Sequence, residues 1–228
     1  MTDAYAHLDM THADPLADLA ERMGNSGIDS VLIVETWDGK NRGLLEGVRD
    51  QPTALCWRGE EAFPSTVYGA RVKTSMLGSA DALLTQLEEH HQCLLVHGDG
   101  PITSWTRTLD DIASARPALA VYVPHLGWPM FESQPNRGWA DCLAALAKQK
   151  NVFLGVSAIA HFSRESFPHD DVKVPARIAM ELFGADRIVA ASDYPMFEKS
   201  RYGDYMRLAE EWIRDLWPDW SDNNALRA

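Results

Sequence analysis

Cysteines, long apolar runs and basic charge are all scarce in this 228-residue sequence. The three cysteines, Cys56, Cys93 and Cys142, are widely spaced within apolar stretches, which is typical of buried thiols in a reducing compartment rather than of a disulfide framework. No apolar run approaches the roughly 18 residues of a membrane span, and the first residues lack the basic-then-apolar pattern of a secretory signal. We therefore expect a cytoplasmic protein that is not embedded in a membrane.

Acidic residues outnumber basic ones by 33 to 21, which gives a net charge of −12. This charge repels the phosphates of nucleic acids and anionic membranes, so we expect neither as a partner. The eight tryptophans are scattered in acidic surroundings and do not indicate a base-stacking surface. A small-molecule substrate is the expected partner. A homo-oligomer is expected if the last helix leaves Trp212 and Trp217 uncovered.

Apolar strand-like runs alternate with helical patterns along the chain. Most of these runs are continuously apolar, as expected for parallel strands buried on both sides. Eight strands with helices between them predict an α/β fold, a compact (β/α)8 TIM barrel forming one domain over residues 1–228. A doubly wound open sheet is the alternative, but no run is followed by a glycine-rich phosphate loop. The predicted strands lie at 3–9, 30–36, 53–57, 68–76, 93–97, 119–125, 151–158 and 187–193.

Helix signals fall between these runs. Asp14 and Pro15 are a capping residue and a first-turn proline, so a helix is predicted to begin there. A thin connection without a helix is expected between the third and fourth strands. The other predicted helices lie over about 42–48, 105–115 and 139–150, from Pro175 to Gly184, and in a last segment that stops at Pro218.

Residues able to bind a metal stand where four of the apolar runs stop: His7, His97, His125 and Asp193. In a barrel the C-terminal ends of all strands open onto one face, which holds the active site. Two or three histidines and a carboxylate suit Zn²⁺ or a similar ion with an open position for water. Taken singly, such residues are more often hydrogen-bonded loop or turn residues. Their recurrence at four strands favours a shared site.

Several motifs resemble the amidohydrolase-2 branch of the amidohydrolase superfamily. They are PHLGWP (124–129), FGADRIVAASDYP (183–195) and NNALR (223–227). GIDSVLIVE (27–35) and VFLGVSAI (152–159) fall where that family has its second and seventh strands. The resemblance covers almost the whole chain in order, and the SDYP segment with the preceding GADR is its most specific part. It implies a metal-dependent hydrolase or decarboxylase on a TIM barrel.

The resemblance also implies roles for individual residues. His97 would match the strand-five metal ligand, and His125 the strand-six histidine that polarises or protonates the substrate. Asp193 would match the strand-eight aspartate that binds the metal and takes a proton from the attacking water, one oxygen facing each. With His7, these residues imply one divalent ion, zinc first and manganese or iron as alternatives.

The opening stretch departs from the family pattern. The family usually reads Asp-x-His-x-His there, and this chain has Asp3, Tyr5 and His7. A neutral tyrosine is a poor ligand because its phenol has a pKa of about 10. Three outcomes are open: a metal held by His7, His97 and Asp193 with additional water; metal-free hydrolysis of the lactonase type, with Asp193 as base and His and Arg groups stabilising the oxyanion; or a pocket that only binds.

Four residues are predicted to contact the substrate: Tyr5, Lys73, Trp128 and Arg164. Lys73, inside the fourth strand, is expected to bind a carboxylate, to bridge two metals if carboxylated, or to reach solvent from the strand end. Trp128 is interpreted as an aromatic wall or an exposed loop residue. Arg164 is the natural anion binder of the polar loop 161–171, which is otherwise a solvated loop.

The sequence therefore predicts an enzyme that cleaves a C–O or C–N bond of a small carboxylated or cyclic molecule by attack of activated water. Decarboxylation is the catalytic variant, and a non-catalytic ligand-binding barrel is the alternative from another class. The stretches 35–37 and 58–60 end strands two and three on the same face. They are expected to line the pocket or to form ion pairs at its rim.

Overall fold

The structure is a computed structural model that describes residues 1–129 and 137–221. Eight strands lie side by side in chain order, and each consecutive pair is parallel. The predicted (β/α)8 barrel is thereby confirmed. The strands are β1 (Thr2–Ala6), β2 (Ser30–Val34), β3 (Thr53–Cys56), β4 (Gly69–Lys73), β5 (Cys93–His97), β6 (Val121–Val123), β7 (Val152–Val156) and β8 (Ile188–Ala190).

Helices follow the strands and pack on the outside of the barrel. As predicted, Asp14 caps the first helix by accepting a hydrogen bond from the N–H of Ala17, with Pro15 in the first turn. No α-helix connects β3 to β4, also as predicted. The helices are α1 (Pro15–Ser26), α2 (Arg42–Leu45), α3 (Asp81–Glu89), α4 (Ile102–Ala115), α5 (Arg137–Leu146), α6 (Ile159–Phe162), α7 (Asp170–Phe183) and α8 (Tyr202–Leu216).

The predicted start of α7 at Pro175 is wrong. The helix begins at Asp170, and Pro175 is a buried residue inside it. Asp170 and Asp171 occupy the first turn, where carboxylates interact favourably with the helix dipole. The acidic pair marks this start better than the proline does.

The region between β4 and β5 also differs from the prediction. The fourth strand ends at Lys73, and Thr74–Ser79 form a 3₁₀ helix. Thr74 and Ser75 turn away from the sheet because both donate to the carboxylate of Asp99. Helix α3, which follows, was not predicted, although its leucines are buried against the barrel.

Side chains alternate between the barrel axis and the surrounding helices. Val31 and Ile33 belong to the large apolar layer beneath the helices, whereas Leu32 and Val34 belong to a smaller cluster on the axis. Tyr5, Leu95 and Ala191 are also in the axial cluster. The residues two positions further along these strands, His7, His97 and Asp193, therefore continue the inner face at the C-terminal mouth.

Backbone hydrogen bonds join β1 to the residues that follow β8. The N–H of Asp193 donates to the carbonyl oxygen of Tyr5 at 2.9 Å, and the N–H of His7 donates to that of Tyr194 at 2.6 Å. These bonds bring the first and last strand ends of the barrel together. They also place Asp193 directly beside β1.

The buried side chain of Asp3 stabilises this junction between β1 and the residues that follow β8. Its carboxylate accepts hydrogen bonds from the N–H of Ser192 at 2.9 Å, from Ser192 Oγ at 2.5 Å and from the N–H of Tyr5 at 3.1 Å. The side chain is fully buried, and burial raises the pKa of Asp3 to about 6 although the hydrogen bonds oppose the rise.

Three sequence-based expectations concern the rest of the chain. No helix within the described ranges is long and apolar enough to cross a membrane. Trp212 is buried, and Trp217 packs partly buried against the core, so this chain itself covers much of that helix face. The motif at 223–227 lies outside the described residues.

Candidate active site

Asp193 lies between two histidines at the barrel mouth. Its Oδ1 is 3.9 Å from Nε2 of His7 and 3.9 Å from Nε2 of His125. These distances are too long for direct hydrogen bonds. Burial raises the pKa of Asp193 to about 8, although the nearby guanidinium of Arg71 opposes the rise. The ring of Tyr5 packs edge-on against both histidines, with centroids 5.2 and 4.9 Å away.

The hydrogen bond of His7 defines its tautomer. Its Nδ1 lies 2.6 Å from the carbonyl oxygen of Val34, which can only accept, so Nδ1 carries the proton. Nε2 therefore presents a lone pair towards Asp193. Burial, with help from the charge of Arg71, lowers the pKa of His7 to about 3, so the imidazole is neutral at pH 7.

A left-handed turn carries His125 and Trp128. The φ angles of residues 125 to 128 are 58°, 52°, 68° and 54°, a conformation that costs roughly 1–2 kcal/mol for each non-glycine residue. The indole N–H of Trp139 donates to the carbonyl oxygen of Leu126 at 3.0 Å, and the N–H of His125 donates to Ser157 Oγ at 3.0 Å. The turn brings the rings of His125 and Trp128 to 5.1 Å of each other, edge to face.

Arg71 lies at the centre of the site, and sequence reasoning missed it. It is 6% exposed, and its Nη1 donates to the carbonyl oxygen of Glu35 at 2.8 Å. Its Nη2 lies 3.0 Å from Nδ1 of His97. Within the described ranges, Arg71 has no ion pair with a carboxylate. The available signal was an arginine inside an apolar strand, two positions before Lys73 and therefore on the same face.

Lys73 and Trp37 form the outer part of the same wall. Nζ of Lys73 lies 4.7 Å from the ring centroid of Trp37, and the guanidinium carbon of Arg71 lies 5.7 Å from it. Lys73 is paired with His97 in the register of β4 and β5, and both are partly exposed. The ring of Trp128 lies 6.2 Å from His97 on the other side. The mouth of the barrel is therefore aromatic and positively charged.

Ion pairs fix the ends of β2 and β3. The carboxylate of Glu35, fully buried, accepts from Nη2 of Arg58 at 2.6 Å and from the N–H of Cys56 at 2.6 Å. Glu60 accepts from the N–H of Arg58 at 2.6 Å and pairs with Arg42 at 3.2 Å. The structure therefore shows Glu35, Arg58 and Glu60 in ion pairs at the rim, the second of the two expectations.

Arg164 lies exposed in the loop between α6 and α7. Its N–H donates to Asp171 at 2.8 Å, and Ser163 Oγ donates to the same carboxylate at 2.5 Å. These bonds give the loop a defined shape. Anion binding by Arg164 stays a prediction.

The donor set as arranged does not fit a divalent metal ion. Among residues 1–129 and 137–221, no three His, Cys, Asp or Glu side chains converge closely enough to hold one. Tyr5 supplies a phenol whose pKa burial raises further, so it stays neutral. Arg71 hydrogen-bonds the ring of His97 and adds a positive charge beside His7 and Asp193.

The fold is that of TIM-barrel enzymes, which hold their active site at the C-terminal mouth, where these residues lie. The sequence model of the amidohydrolase family matches residues 71–216. The chain therefore belongs to the amidohydrolase family, and its class is hydrolase, as the sequence predicted.

Solved structures share the fold. An amidohydrolase 2 from Bifidobacterium longum subsp. infantis is 18% identical, with a TM-score of 0.70 over 100% of this chain and 97% of that one. An amidohydrolase from Burkholderia multivorans with bound zinc is 15% identical, with a TM-score of 0.73 over 94% and 91%. A putative 2-pyrone-4,6-dicarboxylic acid hydrolase from Pseudomonas putida is 19% identical, with a TM-score of 0.71 over 94% and 92%. No curated protein matches the chain.

Proposed function

We propose that this protein hydrolyses a C–O or C–N bond of a small cyclic or carboxylated molecule, with Asp193 as the general base. The proposal rests on the position of Asp193 Oδ1, which lies 3.9 Å from Nε2 of both His7 and His125. A water molecule at hydrogen-bond distance, about 2.8 Å, from Asp193 and one of these nitrogens fits such a gap. That water is the nucleophile.

Each group has a distinct task in this proposal. Asp193 takes a proton from the water as the bond to the substrate carbonyl forms. His7 orients the water through the lone pair on Nε2, since its Nδ1–H is engaged by Val34. Ser157 Oγ lies 2.9 Å from Nδ1 of His125 and can donate its hydroxyl proton there, which leaves a proton on Nε2 for the substrate oxygen or the leaving group.

Charge favours an anionic substrate. Arg71 and Lys73 stand at the mouth without a carboxylate partner among the described residues, although the chain as a whole is acidic. A substrate carboxylate is the group that best offsets two such cations. The Pseudomonas putida protein is named as a putative hydrolase of a dicarboxylic acid, and this name supports a carboxylated substrate here.

We propose that hydrolysis does not depend on a bound metal. Of the three outcomes open from the sequence, the positions of Tyr5 and Arg71 favour the metal-free one. The test is metal analysis of protein purified without chelator or histidine tag, beside the activity of the same sample. We expect no stoichiometric metal and activity that survives a chelator. About one zinc, manganese or iron per chain, with activity lost on its removal, would establish the metal-dependent alternative.

The base is tested by Asp193→Asn on a panel of carboxylated lactones and cyclic amides. We expect turnover to fall by about 10²–10⁴-fold while substrate affinity persists. Asp141→Asn, an exposed aspartate on α5, is the matched control and should keep full activity. Equal activity of Asp193→Asn and the unaltered protein would exclude Asp193 as the base.

We also propose a cytoplasmic location, because Cys56, Cys93 and Cys142 are all free thiols. Cell fractionation tests it, and recovery in an oxidising compartment would contradict it. A homo-oligomer stays a prediction that the largely covered Trp212 and Trp217 do not support, and the mass of the purified protein in solution tests it.

A further inference from the structure

Arg71 and His97 form the hydrogen bond that distinguishes this site from a metal centre. Arg71 extends from β4 and His97 from the end of β5, the neighbouring strand. The distance from Nη2 of Arg71 to Nδ1 of His97 is 3.0 Å. A second bond, from Nη1 to the carbonyl oxygen of Glu35 at 2.8 Å, holds the guanidinium in place. Arg71 is largely buried, so packing also restricts its position.

This bond determines where His97 carries its proton. A guanidinium has five N–H donors and no acceptor, and it is never deprotonated in a protein. Nδ1 of His97 must therefore accept, and the ring proton lies on Nε2. An imidazolium is incompatible with the same bond, because both of its nitrogens carry protons. His97 is thus a neutral ring that offers an N–H donor.

From this geometry we propose that His97 is a catalytic hydrogen-bond donor to a substrate oxygen, held in that tautomer by Arg71, and not a metal ligand. The proposal rests on the hydrolytic function proposed above and names His97 as the group that stabilises the developing oxyanion, so that the Nε2 proton of His125 serves the leaving group. In the stabilisation of this oxyanion Arg71 acts through His97, so it is a positioning residue for that step.

His7 provides the contrast within the same site. Its Nδ1–H is bound by the carbonyl oxygen of Val34, which leaves a lone pair on Nε2. His97 has the opposite arrangement, with an acceptor at Nδ1 and a proton at Nε2. Two neutral imidazoles thus divide the work: His7 and Asp193 accept from the attacking water, and His97 donates to the oxygen that gains charge.

The surroundings of His97 suit contact with a substrate. It is partly exposed, whereas His7, His125 and Asp193 are buried. Its ring lies 5.5 Å from the ring of Trp37 and 6.2 Å from that of Trp128. The three rings form an aromatic surface against which a flat carbonyl compound can pack.

The direct test is NMR of the ¹⁵N-labelled histidine rings at pH 7, with the His97 signal assigned by its loss in His97→Gln. We expect the neutral tautomer with the proton on Nε2 in the unaltered protein. Addition of zinc should leave that signal in place. A proton on Nδ1, protons on both nitrogens, or a stoichiometric shift of the His97 signal with zinc would overturn the proposal. None of these readouts requires a substrate, so they are separate from a failure of the proposed hydrolysis.

Two sets of variants extend the test. In Arg71→Met the guanidinium is gone, and we expect His97 to show a mixture of tautomers and to respond to zinc. Arg177→Met, which removes an exposed guanidinium on α7 that pairs with Glu181, should leave the His97 signal unchanged. Where turnover is measurable, His97→Ala should lose about 10²–10³-fold in kcat, and His97→Gln should recover at least about tenfold because its amide can donate. Equal losses in His97→Ala and His97→Gln would contradict the donor role.

Discussion

The backbone N–H of Asp193 donates to the carbonyl oxygen of Tyr5 at 2.9 Å, so the proposed base is joined directly to the residue that replaces the expected histidine. The side chain of Tyr5 then packs against His7 and His125, the two rings that flank the carboxylate. The main chain of residue 5 therefore holds the backbone of the base, whereas its side chain decides which metal-binding groups surround the carboxylate. A change of that side chain should alter metal affinity without moving Asp193.

Tyr5→His should create a zinc site. The new imidazole would stand beside His7 and Asp193 and supply the third donor that the described residues lack. We expect about one zinc per chain and at least about tenfold tighter binding than in the unaltered protein. Calorimetric titration with zinc measures it. Tyr5→Phe keeps the ring and adds no nitrogen, so zinc affinity that rises equally in both variants would contradict the explanation.

The rate should depend on pH through Asp193. The carboxylate must be ionised to act as base, and burial raises its pKa to about 8. We therefore expect kcat/KM to rise about tenfold for each pH unit below 8 and to level off above it. This rise is the acidic limb of the pH profile. His7 and His97 have pKa values lowered to about 3 and about 4, mainly by burial, so they stay neutral in this range and add no further limb.

Removing the positive charge of Arg71 should move the acidic limb of the pH profile to higher pH. Arg71 opposes the rise in the pKa of Asp193, so in Arg71→Met the limb should lie at higher pH. Arg177→Met, exposed on α7 and paired with Glu181, serves as the control. A limb that stays in place in Arg71→Met, or shifts equally in both variants, would show that Arg71 does not set the charge of the base.

The barrel was predictable because its physical signal is local. Strands buried on both sides must be apolar throughout, and eight such runs with intervening helical patterns leave few other folds. Because side chains alternate along a strand, His97 lies on the same inner face as Leu95, and Asp193 on the same inner face as Ala191. Strand-end polar residues could be assigned to one site for that reason.

The tautomers and the centre of the site were not predictable, because they depend on neighbours from other strands. Nothing in the sequence shows that the carbonyl of Val34 takes the proton of His7, or that Arg71 takes Nδ1 of His97. The sequence-based prediction named Lys73, whereas Arg71 on the same face lies deeper. Residues two positions apart on one strand share a face, so Lys73 at the site implies Arg71 there as well.

Asp3→Asn should change how stability depends on pH. The folded-state pKa of Asp3 is about 6, above its ordinary value of 3.8, so the folded protein holds this proton more tightly than the unfolded chain. The contribution of Asp3 to the free energy of unfolding is therefore full below pH 3.8 and falls as the pH rises towards and past 6. An asparagine removes this dependence and can still hydrogen-bond Ser192.

The measurement is urea unfolding of both proteins from pH 4 to pH 7. We expect the stability of Asp3→Asn relative to the unaltered protein to improve by up to roughly 3 kcal/mol across this range. Comparison of the two proteins cancels the other carboxylates, including Asp9, whose pKa is lowered to about 2 because hydrogen bonds from Lys199 and Thr11 outweigh its burial. A constant difference between the proteins would show that Asp3 titrates alike in the folded and unfolded states.

Trp139→Phe should disturb catalysis through the left-handed turn. The indole N–H is the donor to the carbonyl of Leu126, and without it that buried oxygen loses its partner at a cost of about 1–3 kcal/mol of stability. The turn also orients His125 and Trp128, so kcat should fall by more than the stability loss alone explains. Trp57→Phe loses a similar bond, from its indole to the carbonyl of Glu60 at 3.0 Å, which stabilises a different loop at the rim. We expect comparable destabilisation of both variants, with kcat reduced only in Trp139→Phe, and equal kcat in the two would mean that Trp139 serves stability alone.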